Sequence, residues 1–304
     1  MFRPRLRIPL RPSLIAPTKA SSKLLPLAQQ IRSQHSVPAL ENFDQQKGIP
    51  GLLSPEGFTV AWYAYQTHVL QRLNGLTAET DFETKDLKNI VLATAREPQY
   101  ASIFNYASMA HNNHFFFNGI SPAGEVAMPE DLKSDLIRSF GSIETLKAEM
   151  VKTASAMFGP GFVWLVKTDL PGAPNAYKVL TTYLAGSPYP GAHWRRQEVD
   201  TNTDVGTSTP EGLAAGRRFL ENSAYGAGNA SHASRSRHNF APGGTDLLPV
   251  LCLNTWEHVW LWDYQFGSGA KGGKYEFAMN WWNKVDWKKV HQLAYGTKAP
   301  KMSA

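Results

Sequence analysis

The chain has 304 residues, of which 42% are hydrophobic, so it is long enough to bury the core of one or two domains of ordinary size. Cys252 is its only cysteine, which excludes a disulfide within the chain and a zinc or iron–sulfur site built from cysteines. No run of about 18 apolar residues occurs, so the sequence predicts no transmembrane helix and no membrane partner.

The net charge of +6 comes from the first 34 residues. They hold seven Lys and Arg residues and no acid, and removing these seven from the 31 basic residues leaves 24 against 25 acids, a net charge of −1. A leader that is rich in Arg and Ser and free of acids is typical of a mitochondrial transit peptide. We therefore predict a transit peptide over residues 1–34 and a place in the mitochondrial matrix. A disordered basic tail that binds RNA is the alternative.

Residues 52–122 are predicted to form a helical hairpin domain. Apolar residues at spacings of three and four predict a long helix that begins at Pro55. Asn74-Gly75 is expected to end this helix, since glycine tolerates the left-handed backbone of a helix cap. Two further helices are predicted over residues 85–96 and 99–117, and together the helices form an antiparallel hairpin.

Residues 123–295 are predicted to form an α+β domain with a small antiparallel sheet. Its predicted helices lie over residues 129–140, 142–158, 277–283 and 287–295, and its predicted strands over residues 162–166, 177–183 and 247–253. A polar insertion at about 185–245, rich in Gly, Ser, Ala, Asn and Pro, interrupts the domain. Residues 296–304 form a basic tail.

Six short segments lie in a set order along these elements. They are His111-Asn112-Asn113-His114 with Phe117, Ser121-Pro122, Phe140-Gly141-Ser142, Gly161-Phe162-Val163-Trp164-Leu165, Trp256-Glu257-His258 and Trp282-Asn283-Lys284-Val285-Asp286-Trp287. In order and spacing they resemble the iron/manganese superoxide dismutase family from about Leu52 to Tyr295, outside the insertion. The resemblance implies that family's fold, an N-terminal helical hairpin followed by an α/β domain with a small antiparallel sheet.

Enzymes of this family bind one iron or manganese ion through three histidines and one aspartate. The resemblance places two of the histidine ligands at His114 and His258, which are retained. It places the aspartate at Asn254, whose neutral amide is a poor ligand, and the first histidine at Ala61, which has no ligand atom. His68 lies two helical turns from Ala61, about 10 Å away, too far to replace the lost ligand. We therefore predict no metal, no cofactor and no catalytic residue.

The surroundings of the implied metal are changed as well. The resemblance places the family's gateway histidine at Tyr65, its gateway tyrosine at Val69 and its active-site glutamine near Phe158. We therefore interpret His114 and His258 as vestigial ligand positions that now belong to the core. Aromatic side chains are expected to fill the vacated space, among them Trp256, Phe115 and Phe116.

Glu257 indicates that a dimer interface is retained. In the family's enzymes, the glutamate of the Trp-Glu-His motif crosses the dimer interface to the partner's ligand histidine. Glu257 and His258 are both present here although the ligand set is not. Catalysis does not explain this retention, whereas a dimer interface at Glu257 and His258 does. Local pairing of Glu257 is the alternative.

A mitochondrial leader together with a dismutase-like fold and a lost metal site resembles the dismutase-like subunits of the fungal mitochondrial small ribosomal subunit. Two such paralogues occur there and pair as a heterodimer. The resemblance implies a structural, non-enzymatic ribosomal constituent, whose partners are small-subunit proteins, the paralogue and the rRNA backbone. The alternatives are a mitochondrial superoxide dismutase and a metal-free pseudoenzyme that is not bound to ribosomes.

Basic residues of the C-terminal part are candidates for contacts with rRNA phosphates, which need no base specificity. The predicted contacts are Arg235, Arg237, Lys271 and Lys274, and the same basic stretch includes Lys284, Lys288 and Lys289. The near-neutral charge of the chain after its leader indicates a peripheral position on the ribosome, among proteins.

Overall fold

The structure is a computed structural model. It describes residues 35–95, 97–168, 176–193, 247–267 and 272–296. These residues form a helical N-terminal part followed by helices around a three-stranded antiparallel sheet, which confirms the predicted α+β fold. The predicted transit peptide, most of the predicted insertion and the basic tail after residue 296 lie outside the described residues. None of the described helices is long and apolar enough to cross a membrane.

The N-terminal part is built on one long helix. Its elements are α1 (Pro55–Phe58), a π-helical stretch (Thr59–Ala64), α2 (Tyr65–Thr77), α3 (Leu87–Thr94), a short 3-10 turn (Pro98–Tyr100) and α4 (Ala101–Asn118). The first three run on without a break, and both α2 and α3 pack on α4. Ser54 begins the long helix, because its hydroxyl accepts a hydrogen bond from the backbone N–H of Gly57 at 2.9 Å.

The predicted end of the long helix at Asn74-Gly75 is wrong. The helix continues to Thr77, whose side chain is fully buried and whose hydroxyl donates to the carbonyl of Leu73 at 3.0 Å. The buried face therefore extends one turn beyond Leu73, the last buried apolar residue of the helix. A polar residue that joins the core by bonding its own helix is invisible to an apolar spacing rule.

The second part places helices around the sheet. Its elements are α5 (Glu130–Phe140), α6 (Ile143–Ala156), β1 (Gly161–Thr168), β2 (Tyr177–Tyr183), α7 (Pro190–His193), β3 (Leu247–Asn254), α8 (Glu257–Tyr264), α9 (Gly273–Trp282) and α10 (Trp287–Tyr295). The strand order is β2-β1-β3, so β1 is central, and its residues from Phe162 to Val166 are almost wholly buried. Cys252 is buried in β3, as expected of a small apolar side chain.

The pairing of β1 with β3 positions the end of β3 next to the N-terminal helices. Phe162 pairs with Asn254, and the register shifts between Leu165 and Val166, opposite Pro249. Proline has no N–H to donate, so it is tolerated at a bulge in an edge strand. Beyond the bulge β3 packs on α4, and its last residue, Asn254, faces that helix.

Helix α9 begins four residues before the predicted start at Phe277. Gly273 has a φ of 64°, and a Cβ there would lie 2.5 Å from the carbonyl oxygen of Phe266. The first turn therefore requires glycine and carries little apolar signal of its own. The apolar spacing rule detects only the later turns, which hold Phe277 and Trp281 in the core.

Candidate functional site

The four positions that correspond to metal ligands belong to different elements where the N-terminal helices meet the sheet. Ala61 lies in the π-helical stretch, His114 on α4, Asn254 at the end of β3 and His258 in the first turn of α8. The two substituted positions meet around Asn113, a fully buried residue of α4. The Asn113 side-chain N–H reaches the carbonyl of Ala61 at 3.4 Å, and Asn254 donates to Asn113 Oδ1 at 3.1 Å.

Three buried amides form one continuous chain of hydrogen bonds at this place. The backbone N–H of Trp256 donates to Asn254 Oδ1 at 2.9 Å, and Asn254 Nδ2 donates to Asn113 Oδ1. Asn113 Nδ2 donates to Gln66 Oε1 at 3.1 Å, and Gln66 Nε2 donates to the carbonyl of Ala110 at 2.9 Å. All three side chains are fully buried. Asn254 thus presents an N–H group to α4.

His258 is covered by an aromatic ring. The ring of Tyr65 stacks on the imidazole with centroids 3.6 Å apart and planes inclined by 12°. His258 Nε2 is buried and has no hydrogen-bond partner among the described residues. Burial lowers the pKa of His258 to about 3, so the imidazole is neutral at physiological pH. Burial also raises the pKa of the Tyr65 hydroxyl above its usual value.

The two histidines of α4 have different surroundings. His111 Nε2 lies 2.9 Å from the hydroxyl of Tyr189, and burial lowers the pKa of His111 to about 4. It is therefore a hydrogen-bonded core histidine. His114 is half-buried, with its ring 5.8 Å from that of Trp62. Its pKa is lowered first by burial and then by the positive charge of Lys289.

The aromatic side chains expected to fill the vacated space are mostly elsewhere. Phe115 packs edge-on against Trp164 and Phe116 against Phe117. Among the three predicted residues only Trp256 has its ring near His258, at 5.9 Å. The ring that covers His258 is Tyr65, which was expected only as the gateway position. The positions implied for the gateway tyrosine and the active-site glutamine differ in exposure. Val69 is buried in the core, whereas Phe158 is 97% exposed.

The residues at this place do not fit a redox metal. Iron or manganese in proteins takes imidazole nitrogens and carboxylate oxygens. In the described parts of the chain no three His, Cys, Asp or Glu side chains converge. Ala61 offers no side-chain donor, Asn254 points an N–H towards Asn113, and Tyr65 covers one face of His258. No chemical step that needs a metal is therefore derived from this site.

The remaining predicted site residues are placed as follows. Glu257 and His258 are half-buried at the start of α8. The Lys274 ammonium donates to the carbonyl of Met157 at 2.6 Å, and burial lowers the pKa of Lys274. It is therefore already engaged within the chain. The other three predicted rRNA contacts, Arg235, Arg237 and Lys271, lie outside the described residues.

Large apolar side chains are exposed on and around α8, which sequence reasoning missed. Trp262 on α8 is 60% exposed, and Phe266 just after it is 83% exposed. Phe158 and Leu184 are also exposed, and Leu184 accepts a hydrogen bond from the indole of Trp256, which begins α8. The spacing rule counts such residues as core candidates, and only the folded structure shows which of them face outward.

Comparisons with known proteins bear on these observations. The profile of iron/manganese superoxide dismutases, C-terminal domain, matches residues 128–192 and 226–293. An iron superoxide dismutase of Nostoc sp. is 30% identical over 149 residues, which cover 47% of this chain and 72% of that protein.

The chain belongs to the iron/manganese superoxide dismutase family.

Two relatives from Schizosaccharomyces pombe match more of the chain than the Nostoc dismutase does. The small ribosomal subunit protein mS43 is 26% identical over 266 residues, which cover 85% of this chain and 83% of that protein. The small ribosomal subunit protein mS42 is 26% identical over 215 residues, which cover 69% of this chain and 74% of that protein. This family member is thus similar along most of its length to proteins that are named as ribosomal.

Proposed function

We propose that this protein is a structural, non-enzymatic constituent of the mitochondrial small ribosomal subunit. The observation that carries the proposal is the amide chain through Asn254 and Asn113, which stands where the family's enzymes need ligands, in a chain that otherwise keeps the fold. The similarity to mS43 over 85% of the chain supports a ribosomal role. The leader predicted over residues 1–34 supports import into mitochondria.

A superoxide dismutase and a pseudoenzyme that is not bound to ribosomes are the two alternatives, and different observations speak against each. A superoxide dismutase needs a bound redox metal, and neither Ala61 nor Asn254 supplies a suitable ligand. A pseudoenzyme that is not bound to ribosomes is compatible with the same site. Similarity to two ribosomal proteins over most of their length favours the ribosomal role over it.

Sedimentation of a mitochondrial lysate through a sucrose gradient tests the proposal. We expect the protein to co-migrate with the small ribosomal subunit, and to remain with it after the two subunits are separated by lowering Mg²⁺. A free pool near the top of the gradient, with none in the small-subunit fractions, contradicts the ribosomal role. Stoichiometric iron or manganese together with dismutase activity in the purified protein contradicts the non-enzymatic part.

We further propose a heterodimer with a dismutase-like paralogue through the face around α8. Glu257 is half-buried, and within the described part of the chain no cation lies at salt-bridge distance from it. Lys274 acts on this carboxylate only from beyond ion-pair distance, so Glu257 remains able to form an ion pair with a cation of a partner. The exposed Trp262 and Phe266 add apolar area of the kind found at protein interfaces. Both features support an interface here.

Lys274 is a poor candidate for an rRNA contact, because its ammonium lies against the carbonyl of Met157 in a place where burial lowers its pKa. Three other lysines of the basic C-terminal stretch lie around the start of α10: Lys284, Lys288 and Lys289. The Lys289 ammonium is held by Asn118 Oδ1 at 2.8 Å, which leaves further N–H donors for a phosphate. The Asp286 carboxylate between them accepts from the backbone N–H groups of Lys288 and Lys289. We propose that these three lysines contact the rRNA backbone.

A further inference from the structure

We infer that the chain of amides through Gln66, Asn113 and Asn254 now joins the helical hairpin to the sheet, the task that a bridging metal performs when its ligands come from both sides. We call these three residues the amide clamp. The inference deepens the proposed non-enzymatic role and rests on it in one respect, since it requires that no metal is bound at this place.

The clamp crosses from one part of the fold to the other. Gln66 lies on α2 and Asn113 on α4, both in the helical hairpin, whereas Asn254 ends β3. The link from Asn254 to Asn113, 3.1 Å long, is the step of the clamp that crosses from the sheet to the hairpin. On the sheet side the chain begins at the backbone of Trp256, and on the hairpin side it ends at the backbone of Ala110. Both ends are thus anchored in main chain.

The hydrogen bonds of the clamp all run in one direction. Each amide accepts at its carbonyl oxygen and donates from its nitrogen, from Trp256 N–H to the carbonyl of Ala110. Such a chain is cooperative, and in a buried site a member that lacks a hydrogen-bond partner costs its full desolvation penalty. Asn254 has to accept from Trp256 and donate to Asn113 at once. An aspartate of the same length offers two acceptors and no donor. The clamp therefore requires an asparagine at position 254, so Asn254 has a role of its own in addition to the loss of a metal ligand.

Tyr65 completes the exclusion of a metal. Its ring lies 3.6 Å from the imidazole of His258, centroid to centroid, and the planes are nearly parallel. Since Tyr65 belongs to α2 and His258 to α8, this stack also connects the hairpin with the other part of the fold. Restoring the lost ligands at Ala61 and Asn254 would leave this ring in place. Metal binding should therefore fail to return when only the ligands are replaced.

The substitution Asn254→Asp tests the clamp, with Asn105→Asp as its control on the exposed surface of α4. Thermal unfolding of the purified full chain is measured with and without Mn²⁺. We expect N254D to lower Tm by about 5 °C or more, because it opposes two acceptors in a buried site, and Mn²⁺ not to restore it. N105D should shift Tm by less than about 1 °C. The inference is overturned if N254D is as stable as the unsubstituted chain. It is also overturned if Mn²⁺ raises Tm of N254D or of the unsubstituted chain.

A double-mutant cycle between Asn113→Ala and Asn254→Ala keeps the test decisive if N254D does not fold. The two residues are in contact, so we expect the loss in Tm of the double variant to be clearly smaller than the sum of the two single losses. Additive losses contradict a clamp.

The role of Tyr65 is tested with the variant A61H/N254D, which restores both lost ligand positions. The variant is produced in medium with added manganese, and its metal content is measured. We expect less than about 0.1 Mn per chain, and one Mn per chain overturns the role of Tyr65.

These outcomes are separate from the test of the ribosomal role. Co-migration with the small subunit does not depend on how the hairpin is joined to the sheet. A failed clamp with unchanged co-migration leaves the ribosomal proposal standing. Intact coupling between Asn113 and Asn254 in a protein that stays at the top of the gradient supports the clamp and contradicts the ribosomal role.

Discussion

His258 and His111 are held neutral by burial, and this has a consequence for the stability of the protein at low pH. The pKa of His258 is lowered to about 3 and that of His111 to about 4, in both cases chiefly by burial. In the unfolded chain a histidine titrates near 6.5. Below pH 6.5 the unfolded state therefore binds protons that the folded state refuses, and the free energy of unfolding falls as the pH falls.

We expect this loss to amount to roughly 1.4 kcal/mol per pH unit for each of the two histidines between pH 6.5 and their folded pKa values. Denaturant unfolding at pH 7.5, 6 and 5 measures it. His258→Phe keeps a ring on which Tyr65 can stack and removes the unpartnered Nε2. It also removes the proton that His258 binds in the unfolded state at low pH. This variant should be at least as stable at pH 7.5 and show a smaller pH dependence, the rest of which comes from His111 and from His114, whose pKa is also lowered. A clear loss of stability at pH 7.5 would mean that His258 contributes a polar contact to the fold.

For Asn254, the sequence predicted the loss of a metal ligand but not the hydrogen bond that the residue forms instead. The motif around Trp256 and His258 identified Asn254 as a substituted ligand position from sequence. That its amide donates to Asn113 was not predictable, because the two residues belong to β3 and α4 and meet only in the fold. The stacking of Tyr65 on His258 was missed for the same reason.

At the scale of elements, local signals within one helix predicted well. The predicted helix over residues 142–158 starts with Ser142, a residue type that caps helices, and an acid follows in its first turn. In the structure the Ser142 hydroxyl accepts from the N–H of Thr145 at 3.0 Å at the start of α6. Element ends that carry no apolar signal were missed, as at Thr77, which extends α2, and at Gly273, which begins α9.

The Ser142 cap gives a direct prediction. Ser142→Ala removes the acceptor for Thr145 N–H and should cost about 1 kcal/mol, which lowers Tm by roughly 2–4 °C in a chain of this size. Ser102→Ala on the exposed surface of α4 is the matched control and should leave Tm unchanged. Thermal unfolding by circular dichroism measures both. Equal Tm values for the two variants would show that another group caps α6.

At the scale of the whole molecule, the proposed heterodimer makes Glu257 important for a partner and unimportant for the fold of the single chain. Within the described residues Glu257 has no ion pair to lose. Glu257→Ala should therefore leave Tm of the isolated chain nearly unchanged. It should weaken binding to the paralogue about tenfold or more, because loss of the carboxylate leaves the paralogue's cation buried and unpaired.

Isothermal titration with the purified paralogue measures this effect, and Glu149→Ala, on the exposed surface of α6, is the control of equal charge. Unchanged affinity in E257A would place the interface elsewhere. A large loss of Tm in the isolated E257A chain would instead support the local pairing of Glu257 that the sequence left open.

The same scale decides the role of the lysines around the start of α10. RNA affinity that comes from phosphate contacts falls with salt, and each contact contributes about 0.7–0.9 to the slope of log K against log salt concentration. The triple variant K284A/K288A/K289A should therefore bind small-subunit rRNA more weakly and with a slope reduced by about 2. The control removes the same charge from α6 and β2, in the variant K147A/K152A/K178A. Because the charge is equal and only its place differs, a specific surface predicts a change in slope for the first variant alone. Equal slopes in both variants would mean that RNA attraction is spread over the whole molecule, and that the start of α10 is an ordinary solvated surface.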